Sequence, residues 1–193
     1  MERIILASAS PRRRELLAQI GLKFEVITSD TDESFENSMP VEDIVKKLAF
    51  EKAHAVAKQV SDDNSIIIGA DTVVYYDGII LGKPQDEAHA RDMLTMLSGN
   101  THQVLTGFAV IRLCDNKVVA HYEKTNVTFR LLSENEIDNY IKTKEPFDKA
   151  GGYGIQGLGA TFVSGINGDY NNVVGLPLCS LSQCLKNKFN VKY

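Results

Sequence analysis

The chain has 193 residues, of which 44% are hydrophobic and 24% are charged, and its net charge is −4. This length suits one compact domain over residues 1–193, with two very small lobes as the alternative, and this composition excludes a disordered chain. The acidic balance argues against general nucleic-acid binding, and no apolar run approaches the ~20 residues that a membrane helix needs. Three cysteines without metal-ligand spacing and an N-terminus without a signal-peptide pattern favour the cytoplasm.

Hydrophobic periodicity predicts alternating strands and helices in the first half of the chain. The predicted elements are a strand at Ile4–Ala7, a helix from Pro11 to about Ile20, a strand at Phe24–Thr28, a loop from Ser29 to Met39, and a helix that begins at Pro40. A nearly continuous β-branched run then predicts a long strand, Ser65–Tyr76. Asp77-Gly78 turns this strand into a hairpin with Ile79–Leu81.

The second half of the chain adds more strand than helix. Its predicted elements are a helix at Asp86–Leu97, strands at Val104–Leu113 and Lys117–Leu131, a helix with the capping box Ser133/Glu136, and a last helix from Pro177. Eight of the fourteen glycines fall within Gly151–Gly175, which is the one marked change in composition. Because a long hairpin interrupts the alternation, we expect an α/β fold with a mixed, twisted sheet flanked by helices.

The start of the first predicted helix is typical of an anion-binding site. Ser10 is a favourable N-cap, but Arg12, Arg13 and Arg14 then crowd cations into the first turn. The helix dipole is already positive there, so these cations are unfavourable unless an anion compensates. Backbone N–H groups, the hydroxyls of Ser8 and Ser10, and the arginine side chains would together bind a phosphate. The alternative is a solvated basic surface without a ligand.

Three further residues are unusual for their elements. Asp71 puts a carboxylate into an otherwise apolar strand, which is costly unless it is paired or bound to a metal, and Gly69 leaves room for a close approach. Lys52 falls on the apolar stripe of its helix, one turn beyond Leu48, and Lys83 follows the hairpin strand. Each has an ordinary alternative: Asp71 caps a loop at a strand end, Lys52 extends its ammonium to solvent, and Lys83 is an exposed turn lysine.

An acidic loop after the second predicted strand contributes Glu33 and its neighbours. Acidic loops are usually only solvated, but this one accompanies an anion-binding helix start, two lysines and a second, separate carboxylate. The combination predicts a metal-assisted phosphate site.

Several segments, in chain order, resemble the Maf family. They are Leu6–Leu17, Gly69–Val74, Leu81–Pro84, Asp148–Gly157 and Gly168–Pro177. The family consists of house-cleaning nucleoside triphosphate pyrophosphatases, distantly similar in fold to the inosine triphosphate pyrophosphatases. The resemblance therefore implies a mixed α/β fold with a central cleft, and cleavage of a nucleotide to its monophosphate and pyrophosphate with a divalent metal.

The family pattern also implies roles for individual residues. Its proton acceptor corresponds to Asp71, and its other polar site residues correspond to Ser8, Arg13, Glu33, Lys52 and Lys83. We expect Glu33 and Asp71 to hold Mg²⁺ or Mn²⁺ and Asp71 to deprotonate the water that attacks the α-phosphorus, and the sequence leaves open whether Asp71 serves as base, as metal ligand or as both. We expect the two lysines and the helix start to stabilise charge on the phosphates and on the pyrophosphate leaving group.

Three positions distinguish branches of the family. The branch that prefers dTTP and UTP carries Arg, Thr and Gln, here Arg12, Thr72 and Gln156, and relatives that act on 7-methyl-GTP differ at all three. Gln156 offers the donor and the acceptors that a uracil-like edge requires. The glycine-rich segment is expected to let the backbone pass close to the base and to close as a mobile loop.

Two alternatives stay open at this point. One is a nucleotide-binding regulator of septum formation with little turnover. The other is a pyrophosphatase that prefers 7-methyl-GTP or other modified purine nucleotides. The family analogy also implies a homodimer and a small nucleoside triphosphate as partner, and the charge and the short apolar runs predict neither a nucleic-acid nor a membrane partner.

Overall fold

The computed structural model describes residues 2–28, 30–31 and 39–193. The chain divides into two compact units, each assembled from separate segments. Unit 1 consists of Met1–Asp71, Thr106–Glu123 and Gly175–Tyr193. Unit 2 consists of Thr72–Leu105 and Lys124–Val174.

The described residues form a seven-stranded mixed sheet, which confirms the predicted α/β class. Its strands are β1 (Arg3–Ala7), β2 (Glu25–Val26), β3 (Ser65–Tyr76), β4 (Ile79–Leu81), β5 (Thr101–Arg112), β6 (Lys117–Phe129) and β7 (Val163–Asn167). The strand order is β2-β1-β3-β5-β6-β7, with β4 paired to β3. Strand β1 runs parallel to β2 and β3, whereas the β3–β4 and β6–β7 pairs are antiparallel.

The helices are α1 (Pro11–Gln19), α2 (Val41–Ala57), α3 (Glu87–Leu97), α4 (Glu134–Lys142), α5 (Tyr170–Val174) and α6 (Leu178–Phe189), with short 3-10 helices at Glu145–Asp148, Ala150–Gly152 and Leu158–Phe162. Five of these six α-helices agree with predicted ones apart from a few residues at their ends, and α5 and the 3-10 helices do not correspond to predicted helices. The capping box of α4 is present as predicted. Within the described ranges, none of these helices has the length and apolar character needed to cross a membrane.

The predicted elements differ from the structure in three places. Strand β2 has two residues, fewer than the predicted Phe24–Thr28. Strand β7 and helix α5 lie inside the glycine-rich stretch and were not predicted. Gly165 interrupts the apolar pattern of β7, and α5 has only five residues, so neither produces a periodic signal.

Helix α2 packs against β1, β3 and β5 in the core of unit 1. Two strand glycines let the helix backbone come close. A Cβ added to Gly69 would lie 2.3 Å from the carbonyl oxygen of Ala49, and one added to Gly107 would lie 2.2 Å from that of Val45. The close approach expected at Gly69 is therefore made by helix α2.

An aromatic cluster fills the core of unit 2. The ring of Tyr153 lies edge-on to Phe129, with centroids 4.7 Å apart, and edge-on to His102 at 5.4 Å. His102 Nε2 and the Tyr153 hydroxyl share a buried hydrogen bond of 2.8 Å. Burial lowers the pKa of His102 from 6.5 to about 4, so this histidine is neutral at pH 7.

Adding a methyl group at Gly69 should destabilise the protein, because it would force α2 away from β3. We expect Gly69→Ala to lower the free energy of unfolding by about 3 kcal/mol. Gly165→Ala is the matched control, since a Cβ on this strand glycine meets nothing within 4 Å, and it should stay within about 0.5 kcal/mol of wild type. Urea denaturation measures both, and equal stabilities of the two variants would contradict this packing.

Acid should destabilise the protein partly through His102. Because the folded pKa is about 4 and the unfolded value 6.5, the unfolded chain binds an extra proton between these values. The stability from neutral His102 is complete above pH 6.5 and is lost as the pH falls towards 4. Over that window the free energy of unfolding of wild type should fall by about 3 kcal/mol more than that of His102→Gln. Urea denaturation measures both proteins. If the free energy of unfolding depends on pH in the same way in wild type and in His102→Gln, this role of His102 is contradicted.

Candidate active site

The turn before α1 brings Ser8, Ser10 and Arg13 together in unit 1. Ser10 caps the helix, because its hydroxyl oxygen accepts the Arg13 backbone N–H at 3.5 Å, and the Ser8 hydroxyl oxygen accepts the Ser10 N–H at 3.3 Å. The Arg13 guanidinium donates from Nη1 to the Ser8 hydroxyl at 3.3 Å and from Nε to the Gly175 carbonyl at 2.8 Å. The neighbouring Arg12 is half-buried in the same first turn. The predicted anion-binding elements therefore lie at one helix N-terminus.

Lys52 and Asp71 form an ion pair in unit 1. Lys52 Nζ contacts Asp71 Oδ1, and the two side chains are only 16% and 11% exposed. Asp71 lies in the middle of β3 and Lys52 in the last half of α2. Both ordinary alternatives are therefore wrong: Asp71 does not cap a strand-end loop, and Lys52 does not extend into solvent. A shielded carboxylate held beside a shielded ammonium offers a proton acceptor and a cation at one place.

Three further predicted residues, Thr72, Lys83 and Gln156, belong to unit 2. Thr72 follows Asp71 on β3, so the two side chains leave opposite faces of the strand. Lys83 is exposed just after β4, which also agrees with the alternative of an exposed turn lysine. The carbonyl of the preceding residue, Gly82, accepts the Gly151 N–H at 3.0 Å. This bond connects the Lys83 segment to the start of the glycine-rich stretch.

Gln156 is exposed on a tight turn in that stretch. The turn is closed by the Gly157 N–H, which donates to the Gly154 carbonyl at 3.2 Å. The glycines here make room for protein side chains: a Cβ on Gly157 would lie 2.3 Å from a carboxylate oxygen of Glu145, and one on Gly154 would lie 2.5 Å from Cε of Lys149. The sequence suggested instead that the glycines let the backbone pass close to the base of the nucleotide.

Sequence reasoning missed three contributors to these arrangements. The Gly175 carbonyl anchors Arg13, but a backbone oxygen leaves no trace in the residue type. Glu145 belongs to a short charged segment before the glycines, where an acidic residue usually signals only solvation. Tyr140, which bonds to Glu145, is recognisable in the sequence only as a buried position of α4.

The structure describes one of the two predicted metal ligands. Glu33 lies outside the described residues, so Asp71 is the described member of the pair. Within residues 2–28, 30–31 and 39–193, no three His, Cys, Asp or Glu side chains gather into a group that could hold a metal.

Comparisons with known proteins agree with the resemblance in the sequence. The family model described as "Maf-like protein" matches residues 3–188. A dTTP/UTP pyrophosphatase of Clostridioides difficile (strain 630) is 51% identical over 188 residues, which cover 97% of this chain and 96% of that protein. One of Alkaliphilus oremlandii (strain OhILAs) is 52% identical over 191 residues, which cover 99% and 98%.

Among solved structures, the Staphylococcus aureus Ham1 protein is similar over 66% of this chain and 72% of its own, with 15% identity and a TM-score of 0.48. The family model and the two sequence relatives each span nearly the whole chain. The chain therefore belongs to the Maf family.

Proposed function

We propose that this chain hydrolyses dTTP and UTP to the nucleoside monophosphate and pyrophosphate. The observation that carries the proposal is the shielded Lys52–Asp71 pair, since it supplies the base and the cation that water attack on a phosphate requires. Support comes also from relatives above 50% identity over nearly the whole chain that are named dTTP/UTP pyrophosphatase.

In unit 1, the α1 N-terminus binds the phosphates. Backbone N–H groups of the first turn, the Ser8 and Ser10 hydroxyls and the Arg13 guanidinium are donors, and the positive end of the helix dipole adds to their attraction. Arg13 is already oriented by Gly175 and Ser8, so little side-chain freedom is lost when the anion binds. Lys83, which belongs to unit 2, stays a predicted cation for phosphate charge.

Asp71 accepts the proton of the attacking water, and Lys52 fixes the carboxylate that does so. The pair joins a helix to a strand and is shielded from solvent, so the carboxylate orientation is set before the nucleotide arrives. The ammonium of Lys52 also stabilises the negative charge that develops on the phosphorus oxygens.

The residues fit a divalent metal of the Mg²⁺ type. Such a cation takes one or two carboxylate oxygens from the protein and completes its shell with substrate phosphates and water. Asp71, a shielded carboxylate on a strand, matches this donor set, and Glu33 is the second proposed ligand. When bound, Mg²⁺ or Mn²⁺ would neutralise phosphate charge and lower the pKa of the attacking water.

Arg12, Thr72 and Gln156 are the proposed determinants of base preference. The amide of Gln156 matches the alternating donors and acceptors of a uracil or thymine edge. Cytosine carries an amino group where uracil carries a carbonyl, so an amide held in one orientation separates the two bases.

Replacing the proposed base should abolish turnover without abolishing binding. We expect Asp71→Asn to lower kcat for dTTP by at least about a hundredfold, because an amide cannot accept the proton. Asp63→Asn, an exposed carboxylate of the same unit, is the control and should retain full kcat. Pyrophosphate release measures turnover and calorimetry measures dTTP binding. Wild-type rates in Asp71→Asn would rule out its role, and binding without product in wild type would favour the regulator.

Replacing Gln156, the proposed contact to the base, should change the preference among nucleotides more than the rate of the chemical step. Gln156→Ala should lower kcat/KM for dTTP and UTP by about tenfold, the effect of one or two hydrogen bonds, with a smaller loss for CTP. A panel of dTTP, UTP, CTP, dITP and 7-methyl-GTP measures it. Faster turnover of 7-methyl-GTP or dITP than of dTTP by wild type would instead support the purine alternative.

A further inference from the structure

The turn that carries Gln156 is held at its first residue by a buried tyrosine. The Gly154 backbone N–H donates to the Tyr140 hydroxyl at 3.1 Å. Tyr140 is 4% exposed, and its ring lies edge-on to Phe162 with centroids 4.8 Å apart. The start of the turn is therefore fixed to the core of unit 2.

The residues after the turn are held by the carboxylate of Glu145. Its Oε2 accepts the Leu158 N–H at 3.0 Å, and its Oε1 accepts the Gly159 N–H at 3.3 Å. Oε1 also accepts the Tyr140 hydroxyl proton at 2.9 Å. Tyr140 and Glu145, which we call the clamp, thus join both ends of the turn in one hydrogen-bond network.

The chemistry of Tyr140 suits this double role. Burial raises its pKa, and the contact with Glu145 raises it further against the opposing effect of the Gly154 N–H. The phenol therefore stays protonated, so it donates to the carboxylate while it accepts from the backbone.

The glycines around the turn are explained by the clamp. A Cβ on Gly157 would lie 2.3 Å from Oε1 of Glu145, and one on Gly159 would lie 2.9 Å from the Tyr140 hydroxyl oxygen. A side chain at either position would displace a member of the clamp. The glycine pattern thus serves to bring a carboxylate and a phenol against the backbone of this one turn.

We propose that Tyr140 and Glu145 are positioning residues for base selection, acting through the backbone of the Gln156 turn. The inference rests on the proposed function, in which Gln156 reads the pyrimidine edge. A turn fixed at both ends holds the Gln156 backbone in one place before the base arrives, which limits the directions that its amide can take and lowers the ordering cost of binding. A loosened turn lets the amide adapt to either pyrimidine, which removes the discrimination.

The test compares kcat and KM for UTP and CTP in variants of the full chain. Glu145→Gln weakens the acceptor and Tyr140→Phe removes the hydroxyl. Tyr153→Phe is the matched control, because it removes another buried hydroxyl of unit 2, one bonded to His102. We expect both clamp variants to lower the UTP-to-CTP ratio of kcat/KM by about tenfold, mainly through KM for UTP, and the control to retain the wild-type ratio.

A double-mutant cycle identifies the route of the effect. In a Gln156→Ala background, Glu145→Gln should cause no further loss of the ratio, because the group that it positions is gone. Three results would each overturn the proposal. They are an unchanged UTP-to-CTP ratio of kcat/KM in folded Glu145→Gln, an equal loss of this ratio in Tyr153→Phe, and full additivity of Glu145→Gln with Gln156→Ala.

Failure of the proposed function gives a different result. In that case wild type releases no pyrophosphate from dTTP or UTP. The clamp is then judged by calorimetric affinities of wild type and Glu145→Gln for UTP and CTP. A UTP-to-CTP affinity ratio that falls in the variant supports positioning, and a ratio that is the same in both proteins overturns it.

Discussion

The proposed chemistry depends on the close approach of α2 to β3 at Gly69. The backbone nitrogen of Ala53 would lie 2.7 Å from a Cβ at Gly69, so no larger residue fits without moving the helix. Lys52 immediately precedes Ala53, and Asp71 lies two residues beyond Gly69, on the same face of β3. The missing side chain of one glycine therefore allows the ammonium to reach the carboxylate.

A shielded ion pair is a weak source of stability, since desolvation of both charges offsets their attraction. Its presence between an apolar helix face and an apolar strand is better explained by function than by folding. The same principle applies to the α1 N-terminus, where arginines oppose the helix dipole until an anion binds. Gly175, from the segment before α6, holds Arg13 in place, so distant parts of the sequence support one proposed phosphate site.

Much of the fold and part of the site could be predicted from the sequence. Long periodic elements such as β3 and α2 were predicted well, whereas β7 was not, because Gly165 breaks its short pattern. Lys52 and Asp71 could each be recognised as misplaced charges. Their pairing could not, because it depends on how helix α2 packs against strand β3. Only the family resemblance indicates the base preference. The clamp could not be predicted, because Glu145 lies in a short segment without a periodic hydrophobic pattern.

Hydrolysis of dTTP in isotopically labelled water tests the central claim most directly, since it reports which phosphorus the water attacks. If Asp71 directs water to the α-phosphorus, the label appears in the nucleoside monophosphate, and the pyrophosphate carries none. Label in the pyrophosphate would contradict the account, as would tight binding of dTTP without any product.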